Sequence, residues 1–143
     1  MSGPDEGAIE TERRREAARW LAVAMEDARV ALACLEMARP AFGIAAYHCQ
    51  QAAEKLVKGL LVAAGAGFPR THDLAELAGR AIPFYPALTS SLESIGPLTV
   101  WSVAYRYPGI EEDDEPEPDR AALLKALATI GSLASYLETL TPG

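Results

Sequence analysis

His48 and His72 are the only histidines in the chain, so proton transfer by a group that titrates near neutral pH has to use one of them. His72 stands close after Arg70 where a helix begins, and the unpaired N–H groups of a helix start favour anions. The competing role for His72 is a ring hydrogen bond that fixes the turn. His48 falls at the edge of an apolar helix face beside Tyr47, a packing position. Asp27 lies within an apolar stripe, where an unpaired carboxylate is costly, so it needs a partner. Lys55, His72 and Arg106 are the candidates, and a structural ion pair is the expected use of Asp27 rather than general-base catalysis. Arg106 and Tyr107, just before Pro108, set a cation and a phenol at a helix end. They can tie that end to the body of the protein, or bind a phosphate and stack on a base.

Other chemistries find no residues to carry them. Cys34 and Cys49 sit in apolar helical patterns without metal-ligand spacing, which reads as two buried, reduced thiols. The chain has no Gly-rich phosphate loop, no Cys and His metal cluster and no nucleophile elbow. Gly65-Ala66-Gly67 is better explained as a helix end than as a nucleotide fingerprint. Neither a metal nor a cofactor is expected.

The elements that must position these residues are helices. From about Thr11 to Ala38 the sequence has no internal Gly or Pro and ends before Pro40. Its stripe is Trp20, Val23, Ala24, Val30, Ala31, Cys34 and Ala38, and Leu21, Met25, Leu32 and Leu35 widen the apolar arc. Either two neighbours pack on this helix or part of the arc is a subunit interface. A second helix carries Phe42, Ala45, Ala46, Cys49, Ala52, Ala53, Leu56, Leu60 and Ala64 on one face, with Tyr47, Gln51, Glu54, Lys55 and Lys58 on the other. Gly65 is a left-handed cap, and Thr71 is expected to cap a short third helix bearing Leu74, Leu77 and Ala78. Residues 86–96 form a weak helix or turn. Pro97 opens a helix with Leu98, Trp101 and Tyr105, and Asp119 caps a last helix striped by Leu123, Leu127, Ile130, Ala134 and Leu137. No alternating strand pattern occurs. The expected fold is all-α, an antiparallel up-and-down bundle of four to five helices: a flexible segment over 1–14, then one domain over 15–143 with an acidic, Pro-rich loop at 109–118.

The chain has 143 residues, half of them hydrophobic, which is enough for one core without disulfide or metal staples. Met1 to Glu12 lack the basic and apolar pattern of a secretory signal, and no apolar run is long enough for a membrane span, so a cytoplasmic protein with no membrane partner is expected. Twenty acids against 13 bases give a formal charge of −7, which disfavours a general phosphate-binding surface. The stretch Glu111 to Asp119, however, holds seven acids and no base. Without it the chain has as many bases as acids, so the acidity belongs to one loop next to Arg106 and Tyr107.

Three segments together resemble the HEPN domain (higher eukaryotes and prokaryotes nucleotide-binding): YHCQQAAEKLVK from Tyr47 to Lys58, FPRTHDL from Phe68 to Leu74, and YRYP from Tyr105 to Pro108. With the long first helix bearing Asp27 and the closing helix, the resemblance covers about residues 15–140. It implies a helical bundle, usually dimeric. It also implies partnership with a minimal nucleotidyltransferase, in many prokaryotic members as a toxin–antitoxin pair, and a nucleotide or RNA as ligand, for which Lys55, Arg70, His72, Arg106 and Tyr107 are the candidate contacts. The toxic members resemble metal-independent ribonucleases whose signature is Arg, four to six residues, then His. Here the required positions are Ala41, Phe42 and Gly43 before His48, and Gly65, Ala66 and Gly67 before His72. The expected function is therefore a non-catalytic interaction module. The alternative is a divergent ribonuclease toxin in which folding brings His72 and Arg106 together, and a weaker third reading is a nucleotide sensor.

Overall fold

The computed structural model describes residues 4–102 and 117–142. Arg106 and Tyr107, with nearly all of the acidic loop, lie outside the described residues. Among those described, no strand occurs and five α-helices form the fold: α1 (Pro4–Glu36), α2 (Phe42–Ala63), α3 (Leu74–Ala81), α4 (Thr89–Ile95) and α5 (Arg120–Thr139). The protein is an all-α helical bundle.

Helix α1 starts at Pro4, not near Thr11, so residues 4–14, expected as part of a flexible segment, are helical. Pro4 is preset for the first helical position, and Asp5 and Glu6 complement the helix dipole there. Residues 5–16 are all exposed, and burial begins at Ala17. From there α1 buries mostly small residues, Ala17, Ala24, Ala28, Ala31 and Cys34, together with Asp27 and Leu35. Val23 and Ala38, expected on this stripe, are exposed. The buried seam follows the alanines because α1 packs most extensively on α2, whose fully buried face is also small: Ala45, Ala46, Cys49, Ala52 and Ala53. Short side chains on both sides let the two axes approach closely.

Gly59 extends that close approach to three helices. A Cβ there would lie 2.8 Å from Leu137 Cδ2 and 3.0 Å from the Cβ of Trp20, so only glycine lets α1, α2 and α5 meet at this level. The end of α2 is as expected. Gly65 has φ of 75°, its N–H donates to the Val62 carbonyl, and the Ala66 N–H donates to that of Leu61, the paired bonds of a Schellman cap.

The third helix departs from expectation at its start. Asp73, not Thr71, is the N-cap: its carboxylate accepts from the N–H groups of Ala75 and Glu76. Thr71 instead accepts from the Asp73 N–H through Oγ1, fixing the turn one step earlier. A 3-10 turn over Ile82–Phe84 follows α3; the weak segment 86–96 holds a second over Pro86–Leu88 and then α4, and the stretch after it, expected as a helix, is 3-10 over Gly96–Ser102. Tyr85 anchors this part. Its hydroxyl donates to the Leu60 carbonyl at 2.7 Å and is buried, and its ring stands edge-on to Tyr136. Tyr85→Phe removes that bond while keeping the ring, and should lower stability by about 1 kcal/mol in a urea titration.

Asp119 caps α5 as expected, accepting from the Ala122 N–H at 2.8 Å. Arg120 then donates to the Leu35 carbonyl at 3.0 Å and lies over the Phe42 ring, tying the start of α5 to the α1–α2 turn. Large apolar side chains fill the centre, including Leu56, Leu60, Leu74, Leu92, Leu133 and Leu137, all fully buried.

Candidate functional site

Two polar clusters lie along α2, each built on one buried carboxylate that holds one lysine and one histidine. In the first, Asp27 of α1 is 9% exposed. It accepts from Lys55 Nζ at 2.5 Å through one carboxylate oxygen and meets His48 Nδ1 at 2.8 Å through the other. Lys55 is one of the three candidate partners for Asp27. His48, read as a packing residue, is the second, and its ring also lies edge-on to Tyr47.

The second cluster centres on Glu54. The sequence reading placed Glu54 on the polar face of α2, in an ion pair with Lys58. The pair exists at 2.9 Å, but Glu54 is only 4% exposed. It also accepts from Gln50 Nε2 at 3.0 Å and meets His72 Nδ1 at 2.9 Å. Gln50 is fully buried and accepts in turn from Gln51. Lys58 is nearly enclosed, with its ammonium over the rings of both Trp20 and Phe68, which are themselves edge to face. No buried side-chain nitrogen or oxygen among the described residues is left without a partner.

Burial alone pushes the Glu54 carboxyl upward. Hydrogen bonds from Lys58, His72 and Gln50, with the Lys58 charge, more than offset it and hold the group below its ordinary value. An ionised carboxylate can only accept, so His72 Nδ1 carries the proton of this contact, and Nε2 is the ring nitrogen left to face outward. The His72 side chain is 79% exposed.

Of the residues singled out in the sequence, the structure joins Lys55 to Asp27 and His72 to Glu54, two separate sites. Arg70 is exposed, and Arg106 and Tyr107 lie outside the described residues. The missed members are His48, Gln50 and Glu54. For Gln50 and Glu54 the signal was a second stripe on α2: Gln50, Glu54, Val57 and Leu61 recur at helical spacing, and all four are buried. Val57 and Leu61 mark that stripe as covered, and it follows that the polar residues sharing it are covered as well.

A family model for the HEPN domain matches residues 17–139. The chain belongs to the HEPN domain family. The match starts where burial on α1 starts and ends at the last residue of α5. No match was found among curated proteins or among solved structures. Membership makes this HEPN domain one of a nucleotide-binding, ribonuclease-like family. Among the described residues no helix is long and apolar enough to cross a membrane, and no group of three or more His, Cys, Asp or Glu could hold a metal ion.

The two thiols of this HEPN domain are buried and unpaired. Loss of water around Cys49 pushes its thiol up to about 12, so little thiolate exists near neutral pH. Both thiols are expected to resist a disulfide reagent at pH 8 in the folded protein and to react fully once it is unfolded in guanidinium. The time course of released chromophore reads this directly.

Proposed function

We propose that this HEPN bundle is a non-catalytic interaction module that partners a minimal nucleotidyltransferase, with nucleotide contact confined to the exposed groups around Arg70 and His72. One observation supports this reading most: each histidine has a carboxylate as its nearest charged partner, and that carboxylate also neutralises the lysine beside it. A ribonuclease of this family type needs the opposite field, a cation beside the histidine to stabilise charge developing on the scissile phosphate. Lysines already neutralised at 2.5 and 2.9 Å contribute little to such a field. The polar clusters therefore brace the helices, and only the exposed edge of the second one, at His72, is open to a nucleotide.

Co-expression with a minimal nucleotidyltransferase tests the reading. The two chains should co-elute from a sizing column, and separate elution would sink the proposal.

A second reading rests on His72 alone. Its Nδ1 is held by Glu54 and its Nε2 faces outward, an arrangement that also suits a general base. On that reading RNA is cleaved, and His72→Ala removes the cleavage while leaving the bundle folded.

A further inference from the structure

Helices α3 and α4 leave a groove between them, around a cavity of about 470 Å³. On one wall Ala75, Ala78, Gly79 and Ile82 recur at helical spacing along α3 and the turn after it. The other wall includes Leu92, Glu93 and Gly96. The groove is shut at one end and open at the other. A Cβ on Gly96 would lie 3.3 Å from both Cα and Cβ of Ala75, so the two elements touch there. One turn further along α3, at Gly79, a Cβ would meet nothing within 4 Å. Glycine inside a helix is destabilising relative to alanine, and no contact among the described residues asks for it at Gly79. What a side chain there would occupy is the groove.

The floor is apolar and the rim is charged. Leu92 is fully buried and Ala78 nearly so. Glu93 is exposed, and among the described residues it is the one charged side chain of the lining and forms no ion pair. The cation of α3, Arg80, is already paired with Glu76 at 3.7 Å, and α4 carries no cation of its own. Glu93 therefore leaves the mouth of the groove with one uncompensated negative charge. Such a slot selects for charge as well as shape. A ligand that fits it has a compact apolar body to cover Leu92 and Ala78 and one cationic nitrogen to donate to the carboxylate. The space is of the size that holds one small molecule, and α3, with eight residues, is about 12 Å long, too short to seat a helix of several turns. A rigid ring system loses little conformational freedom on entering it.

We propose that the α3–α4 groove binds a small aromatic monoamine, its rings over Leu92 in the space beside Gly79 and its ammonium on the Glu93 carboxylate. The proposal goes beyond the partner and nucleotide reading and does not depend on it, since no lining residue belongs to either polar cluster.

Titrating the isotope-labelled chain with tryptamine, followed by amide chemical shifts, tests it. Tryptophol and indolepropionate share the ring and carry a hydroxyl and a carboxylate in place of the ammonium. Saturable shifts should cluster in residues 75–82 and 92–97. Tryptamine should bind about tenfold more tightly than tryptophol, and indolepropionate more weakly than either. Glu93→Gln should bring tryptamine and tryptophol to the same affinity. Gly79→Leu, whose side chain has room in the groove and raises helix propensity, should abolish the shifts while circular dichroism shows the bundle folded. Absence of saturable shifts at millimolar tryptamine overturns the proposal. So do shifts confined to other helices, equal binding of the three indoles, a preference for tryptamine that survives Glu93→Gln, or binding indifferent to Gly79→Leu.

Discussion

Glu54→Ala is expected to destabilise the bundle by about 3–5 kcal/mol, the cost of leaving a buried charge without its partner. The charge in question is Lys58, whose side chain is 14% exposed and enclosed by Trp20 and Phe68. Among the described residues its ion pair goes to Glu54, and Gln50 loses an acceptor at the same time. Denaturant titration followed by circular dichroism measures the loss, and a change below about 1 kcal/mol would mean that water reaches Lys58. Acid should act on the same contact. The Glu54 carboxyl sits below its ordinary value of 4.5 in the folded protein, so its contribution is complete above that value and is lost as pH falls through the folded one. Stability of the native protein should therefore decline more steeply below pH 4.5 than that of Glu54→Gln, which has no proton to take up.

Asp27→Ala should cost less, about 1–3 kcal/mol, although it severs as many ionic contacts. Lys55 and His48 are 29% and 25% exposed, so water can take over part of what Asp27 supplied. The ordering is the test. If Asp27→Ala proves the more damaging in the same titration, burial of the lysine is not what sets the value of these clusters. Adding Lys55→Met to Asp27→Ala should recover part of the loss, since an apolar chain of similar length needs no counterion.

Fold class and most of the helix caps were legible in the sequence because they rest on local signals. Gly65 and Asp119 cap where their chemistry says they should. Thr71 and Asp73 show the limit: both can accept at a helix start, and tertiary contact decides between them, with Leu74 N–H donating to Thr99 Oγ1 from a distant turn. The start of α1 was missed because residues 5–16 are exposed on every side, leaving no apolar period to read. Periodicity also misplaced Val23, because a seam of alanines buries small residues and leaves larger ones at its rim, and Ala38, because α1 ends before it at Glu36.

The candidate site was half legible. Asp27 stood out as a carboxylate among apolar residues, and Lys55 was one of three cations that could complement it. Glu54 did not, because a Glu four residues before a Lys is the common pattern of a solvated helix face, and its contact with His72, 18 residues away, has no local signal. His48 escaped for a related reason. Its partner is 21 residues away, on a helix whose rotation about its axis is set by the alanine seam.

The central claim is that the histidines of this HEPN domain brace its helices rather than move protons on a substrate. Incubating labelled RNA with the purified native protein, beside His72→Ala, tests it most directly. Both samples should leave the RNA intact over the full time course. Cleavage by the native protein that disappears in His72→Ala, with the helical content of the variant unchanged, would contradict it.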